Sequence, residues 1–141
     1  MLTFRSLSFV QVKHISLEAR ILYAQLIEAL HCDDREEIVA KFVEMGFVSE
    51  RMDPECLYRR ACFFHDRDTD DITHGKNIQL FMEEVNKIDP VVSQSGDYIL
   101  LGRMNFLMRG MGNAFNLSLR ISDHWLPFAH RLLVEHGLAK S

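Results

Sequence analysis

The sequence predicts a mainly α-helical single domain, on three observations. Apolar residues recur at helical spacing along most of the chain. Helix-start and helix-stop residues punctuate that pattern at short intervals. A single stretch, SLSFVQVKHIS (residues 6–16), is β-branched and aromatic enough to read as a strand. Together they predict about six helices over residues 16–137, behind one short N-terminal strand and turn within residues 1–13.

Ser16 fits an N-cap, and Ala19, Leu22, Tyr23, Leu26, Ile27 and Leu30 then share one helical face. Asp33 and Asp34 end that helix and cap the next, which turns Ile38, Val39, Phe42 and Met45 inward and stops at Gly46. Asp53-Pro54 is a third start, with proline where its missing N–H costs nothing; Leu57, Ala61 and Phe64 share a face behind it. The polar segment HDRDTDDITHG reads as a loop. A fourth helix places Ile78, Phe81, Met82, Val85 and Ile88 at helical spacing and closes at Asp89-Pro90.

The fifth segment, Asp97 to about Phe115, is apolar nearly all round. That pattern predicts the central buried helix, with Leu101, Phe106, Leu107 and Met111 near the middle of the core. A sixth helix runs from near Ser122 to Gly137 with Trp125, Phe128, Ala129, Leu132 and Leu133 inward. Pro127 either costs it a backbone bond or delays its start by a turn.

Composition narrows the function classes. The 141 residues are 48% hydrophobic and 26% charged, an ordinary globular balance. A net charge of −4 supplies no basic field for nucleic acid or anionic lipid, so nucleic-acid binding is disfavoured. Three cysteines, Cys32, Cys56 and Cys62, have no framework spacing, which points to buried thiols in a reducing compartment. The most apolar run, YILLGRMNFLM, is broken by Arg103 and Asn105, so no transmembrane helix is expected. The opening MLTFRSLSF has the arginine and serine of an organellar presequence, but it lies so close to the first helix that it is read as part of the fold.

Four constellations were weighed for chemistry and none is assigned a catalytic, cofactor or metal residue. DRDTDDITHGKN places Asp66, Asp68 and Asp70 at positions one, three and five of a calcium loop. Asp71 stands where that loop needs glycine and Asn77 where it needs a bidentate glutamate, so a solvated acidic loop is the better reading. Cys56, Cys62, His65 and His74 lack the short paired spacing of structural zinc. His124, His130 and His136 recur every six residues and so spiral around a helix towards the surface, with His136 placed to complement its C-terminus. RGMGNAF, with Gly110 and Gly112, follows a helix, whereas phosphate loops follow a strand; close helix contact or helix termination is the better role.

The order of segments nonetheless resembles a known family. FVQVKHISLEARILYAQLIEAL followed by DDREEIVAKFVEMGF is similar to the C-terminal lobe of the UbiB or aarF-domain-containing atypical kinase-like proteins. FFHDRDTDDITHGKNIQLFMEEV, DYILLGRMNFLMRGMGNAFN and HWLPFAHRLL look like that family's closing helices, and LMRGMGNAF is the most telling segment. The likeness runs from about Leu7 to the C-terminus. It implies a kinase-like C-lobe helical bundle from a family with ATP- and magnesium-dependent kinase or ATPase activity, linked to ubiquinone and lipid metabolism in mitochondria, plastids or bacteria.

The same resemblance implies a catalytically incompetent chain. The family's Asp-Phe-Gly aligns with Ser8-Phe9-Val10, and a neutral hydroxyl is a poor magnesium ligand where a carboxylate is needed. Gln11 and Lys13 match the pattern but carry no assigned catalytic role. The nucleotide-gripping groups and catalytic loop would lie upstream of the segments seen here, and kinase chemistry needs them in one geometry. The expected partners are therefore that upstream half or a second copy of this chain, through a strand whose Leu7, Phe9, Val10 and Val12 want cover. The alternative expectation is a stand-alone helical protein–protein interaction module.

Overall fold

Capping side chains set most of the helix boundaries in the computed structural model, which describes residues 15–114 and 120–139. Ser16 Oγ accepts from the Ala19 N–H at 3.2 Å and opens α1 (Leu17–Cys32). Asp33 ends it in the left-handed region, and Asp34 Oδ1 accepts from the Glu37 N–H to start α2 (Arg35–Glu44). Gly46, at φ +94°, turns the chain into β1 (Val48–Ser49), a conformation strained for any residue with a Cβ. Asp53 Oδ2 accepts from the Cys56 N–H at 2.9 Å, and Pro54 begins α3 (Pro54–His65). After the short α4 (Asp70–Thr73), Asn77 caps α5 (Ile78–Ile88) through the Leu80 N–H. β2 (Val91–Ser93), α6 (Gly96–Ala114) and α7 (Ile121–Glu135) follow.

The mainly α reading holds: among the described residues there are seven helices and one small antiparallel sheet. β1 pairs with β2 in the register Val48↔Ser93 and Ser49↔Val91. α1 packs most extensively on α7 and then on α2, while α3 touches α2, α4, α5 and α6. Leu26, Leu30, Ile38, Ala61, Cys62, Ile72, Phe81 and Val85 are wholly enclosed in one core. None of the described helices is long and apolar enough to cross a membrane.

Several expectations need correction. The central helix is α3, not α6: Cys56 to Phe63 and His65 are all buried, Arg59 and Arg60 included. In α6 Leu101 is buried and Phe106 partly so, but Leu107 is 71% exposed and Met111 65%. The inward stripe of that helix runs through Leu101, Asn105 and Arg109 instead, because polar groups of α1 and α3 face it. Phe128 of α7 is also half exposed, while Ala129 and Leu133 point inward. The outer members of the α5 stripe, Ile78 and Ile88, are exposed and only Phe81 and Val85 are buried. Cys32 is an exposed thiol, unlike Cys56 and Cys62.

Three elements lie outside the sequence reading: α4, inside the polar loop, and the paired strands β1 and β2. Pro127 sits inside α7 and costs that helix a backbone bond without delaying its start at Ile121. Gly110 is exposed within α6 with no atom of the described residues near enough to meet a Cβ, so it mediates no close contact with another described helix. The expected strand over residues 6–16 falls outside the described residues except for Ile15 and Ser16, as do Ser8, Gln11, Lys13 and Phe115.

These positions set opposite expectations for two leucines. Leu107→Ala should change the unfolding free energy by no more than about 0.5 kcal/mol, as surface substitutions do. Leu30→Ala, at a fully enclosed site, should cost about 2–5 kcal/mol. Urea unfolding of both variants checks the placement, and a large loss at Leu107 would contradict it.

Candidate functional site

Three helix ends meet at the carboxylate of Asp66, which is 0% exposed. Asp66 follows the last turn of α3, and its backbone N–H bonds to the Cys62 carbonyl at 2.9 Å. The first turn of α7 has no side-chain cap of its own, since Arg120 occupies the N-cap position. Asp66 supplies one from across the fold: Oδ1 accepts from the Ser122 N–H at 2.9 Å, and its carbonyl accepts from the Ile121 N–H at 3.1 Å. An anion at a helix N-terminus is favoured by the unpaired N–H groups and by the helix dipole.

Oδ2 of Asp66 accepts from Arg67 Nη1 at 2.8 Å and from Arg120 Nε at 3.0 Å. Arg120 Nη2 also donates to the Leu30 carbonyl and, at 3.4 Å, to that of His31, so one guanidinium closes the last turn of α1. Arg67 Nη2 donates to Asp33 Oδ1 at 3.2 Å and to Tyr58 Oη at 3.1 Å, while the Tyr58 hydroxyl donates to Asp33 at 2.6 Å. Burial pulls the Arg67 guanidinium down, but Cys62, Asp66 and Tyr58 around it outweigh that and hold it charged.

His65 belongs to a second cluster joining α1, α3 and α6. Its Nδ1 lies 3.0 Å from Tyr23 Oη, and Asn105 Nδ2 donates to that hydroxyl at 2.7 Å and to the His65 carbonyl at 3.4 Å. Burial, with the Arg109 charge as a smaller cause, pushes the His65 imidazole down to about 3, so it is neutral. Arg109 donates to the Phe63 carbonyl and lies 4.7 Å from the Phe106 ring centroid; its Nε and Nη1 are buried without a partner among the described residues. Beside His65 opens a cavity of about 150 Å³ between α2, α3 and α6, walled by Phe42, Phe47, Phe64 and Phe106.

A third cluster holds the other end of α3. Asp89, also fully buried, accepts from Ser49 Oγ at 2.7 Å, the Arg51 N–H at 2.7 Å and the Asp53 N–H at 3.0 Å. Burial pushes its carboxyl up, but those donors outweigh it and leave it below the usual carboxylate range. Arg60 Nη2 donates to the Asp89 carbonyl at 2.7 Å and to Asn86 Oδ1 at 2.9 Å. Nearby, Arg59 donates to the Ile72 carbonyl at 2.8 Å and pairs with Glu84, as does Lys76 at 2.7 Å. Those donors, Arg59 first, hold the Glu84 carboxyl down to about 2.

The constellations weighed from sequence are not assembled into sites. Asp66 is enclosed while Asp68 and Asp70 are exposed, and Asn77 is spent as a helix cap. Cys56 and Cys62 are buried on α3, where burial raises their thiols to about 11 and about 12, outside the reactive range. His65 is bonded to Tyr23, and His74 is exposed at the end of α4. Among the described residues no group of three His, Cys, Asp or Glu side chains could hold a metal ion. His124, His130 and His136 are exposed, as expected; His130 pairs with Glu28 at 3.0 Å and His136 caps α7. Gly110 and Gly112 lie within the helical span of α6.

Sequence reasoning missed Asp66 as an anchor and Asn105 and Arg109 as inward groups. The signal available was polar residues at four-residue spacing in an otherwise apolar helix. Comparison with family models, with curated proteins and with solved structures found no match to this chain.

Two outcomes follow from this wiring. Asp66→Ala leaves Arg67 and the α7 N-terminus without their buried anion and should cost about 3–5 kcal/mol in urea unfolding; a loss below 1 kcal/mol, roughly that of a surface ion pair, would contradict the role. Acid should destabilise the fold in two windows. The unfolded chain protonates histidine near its ordinary 6.5 but the folded chain protonates His65 only at about 3, so stability falls as pH drops from 6.5 towards 3. Glu84 contributes stability above its ordinary 4.5 that is lost as pH falls towards 2. Glu84→Gln should flatten the profile below pH 4.5 and leave the His65 window in place, read by urea unfolding at stepped pH.

Proposed function

We propose that this chain is the helical, C-lobe-like part of a divergent UbiB or aarF-type atypical kinase-like protein, acting as a scaffold and not as a reaction centre. The observation that carries the scaffold reading is the state of Asp66. It is the carboxylate of the HDRD segment most enclosed by protein, and both its oxygens are taken by Ser122, Arg67 and Arg120. A carboxylate so engaged, with three protein donors and no exposure to solvent, holds helices together and is closed to a metal or a substrate. The support for the family is the ordered series of matching segments from Leu7 onwards, with Ser8 where the family's metal-binding aspartate would stand.

A second reading is favoured by one feature of α6. Leu100, Leu107 and Met111 are exposed large apolar side chains at i, i+7 and i+11, a stripe along one side of the helix. Exposed apolar surface of this kind suits a stand-alone helical module that works by binding protein, including a second copy of itself.

Calorimetry with magnesium-ATP tests the leading proposal. The chain should show no saturable heat; saturable binding in the micromolar range would overturn the scaffold reading. Sedimentation tests the second reading, which expects association that weakens in a Leu107→Lys, Met111→Lys double variant. A clean monomer unaffected by both substitutions would remove it.

A further inference from the structure

We propose that the cavity between α2, α3 and α6 is a binding site for a compact aromatic ligand that carries one carbonyl acceptor, which the Nε2–H of His65 recognises. The cavity measures about 150 Å³, and an apolar cavity of about that size holds a benzene-sized molecule. Its wall sets the rings of Phe42, Phe47, Phe64 and Phe106 beside a polar side lined by Gln94 and Arg103. Gly102 of α6 forms part of the same wall, and a Cβ there would lie 3.6 Å from His65 Cε1 and 3.8 Å from the Phe64 carbonyl. The missing side chain therefore keeps the space beside the imidazole open.

The direction of the His65 proton follows from the hydrogen bonds behind it. The Asn105 amide donates both to the His65 carbonyl and to Tyr23 Oη, and the first of these fixes which way the amide is turned. Tyr23 Oη thus accepts from Asn105 and has its single proton left for His65 Nδ1 at 3.0 Å. With Nδ1 accepting, a neutral imidazole carries its proton on Nε2. His65 is 3% exposed, and Nε2 forms no hydrogen bond with a described residue. The His65 ring lines the cavity, with Cε1, the carbon bonded to Nε2, facing Gly102.

A buried N–H donor without an acceptor among the described residues discriminates by chemistry. A ligand with an acceptor satisfies it, whereas an apolar isostere leaves it desolvated and unpaired.

The test compares acetophenone with ethylbenzene on the full chain by protein-observed NMR titration. Acetophenone should bind roughly two- to tenfold tighter, the range of one net hydrogen bond, and should shift the His65 Hε2 resonance. Ethylbenzene should bind without moving that resonance. Gly102→Leu should abolish binding of both by filling the space, and Gly102→Ala should weaken both. The alanine methyl makes only ordinary contacts, so that variant keeps the fold even if the leucine does not. Equal affinities, an unmoved Hε2 resonance, no binding of either probe at millimolar concentration, or full binding by Gly102→Ala would each overturn the proposal.

Discussion

The fold depends on a buried carboxylate that three helix ends share. Asp66 has no contact with water, so its charge is tolerable only because Arg67, Arg120 and the Ser122 N–H surround it. In return it gives α7 the cap its own sequence lacks and fixes Arg120 over the last carbonyls of α1. Apolar packing between α1 and α7 would hold the two helices together without this group, but it would not fix where each helix ends. Burial is non-directional, whereas a carboxylate with distinct donors on each oxygen specifies one arrangement.

The same logic repeats at the opposite end of α3. Asp53 caps the helix, and Asp89 receives the Asp53 N–H, the Arg51 N–H and the Ser49 hydroxyl, tying the strand pair to the start of α3. Between these two ends Arg59 and Arg60 thread through the core by donating to the carbonyls of Ile72 and Asp89. Arg60 leaves Nε and Nη1 unpaired among the described residues and lies 5.4 Å from the Phe47 ring centroid, a contact that offsets part of that cost. The central helix is thus positioned by charge at its ends and by apolar side chains along its length.

This division explains which parts of the fold could be read from sequence. Ser16, Asp34, Asp53-Pro54 and Asn77 act on backbone N–H groups within three residues of themselves, so local pattern suffices for the boundaries they set. The orientation of α6 was not legible, because a helix apolar on most sides has no single stripe to choose. Its inward face was decided by distant partners: the Tyr23 hydroxyl and His65 carbonyl claim Asn105, and the Phe63 carbonyl claims Arg109. Leu107 and Met111 were displaced outward as a result. The central burial of α3 was hidden for a related reason, since arginines such as Arg59 and Arg60 are seldom enclosed unless distant acceptors receive them. α4 escaped notice because Ile72 is the only apolar residue within it. The cavity beside His65 needs Gly102 and four phenylalanines from three segments in one place, which no local spacing records.

The most direct test of Asp66 as the organising group is amide hydrogen exchange at the α7 N-terminus. First-turn amides normally exchange quickly because they lack intrahelical acceptors. Here the Ile121 and Ser122 amides should exchange as slowly as those in the middle of α3, opening only with global unfolding. Rapid exchange at both positions, with α3 still protected, would show that α7 docks without Asp66 and would contradict the account.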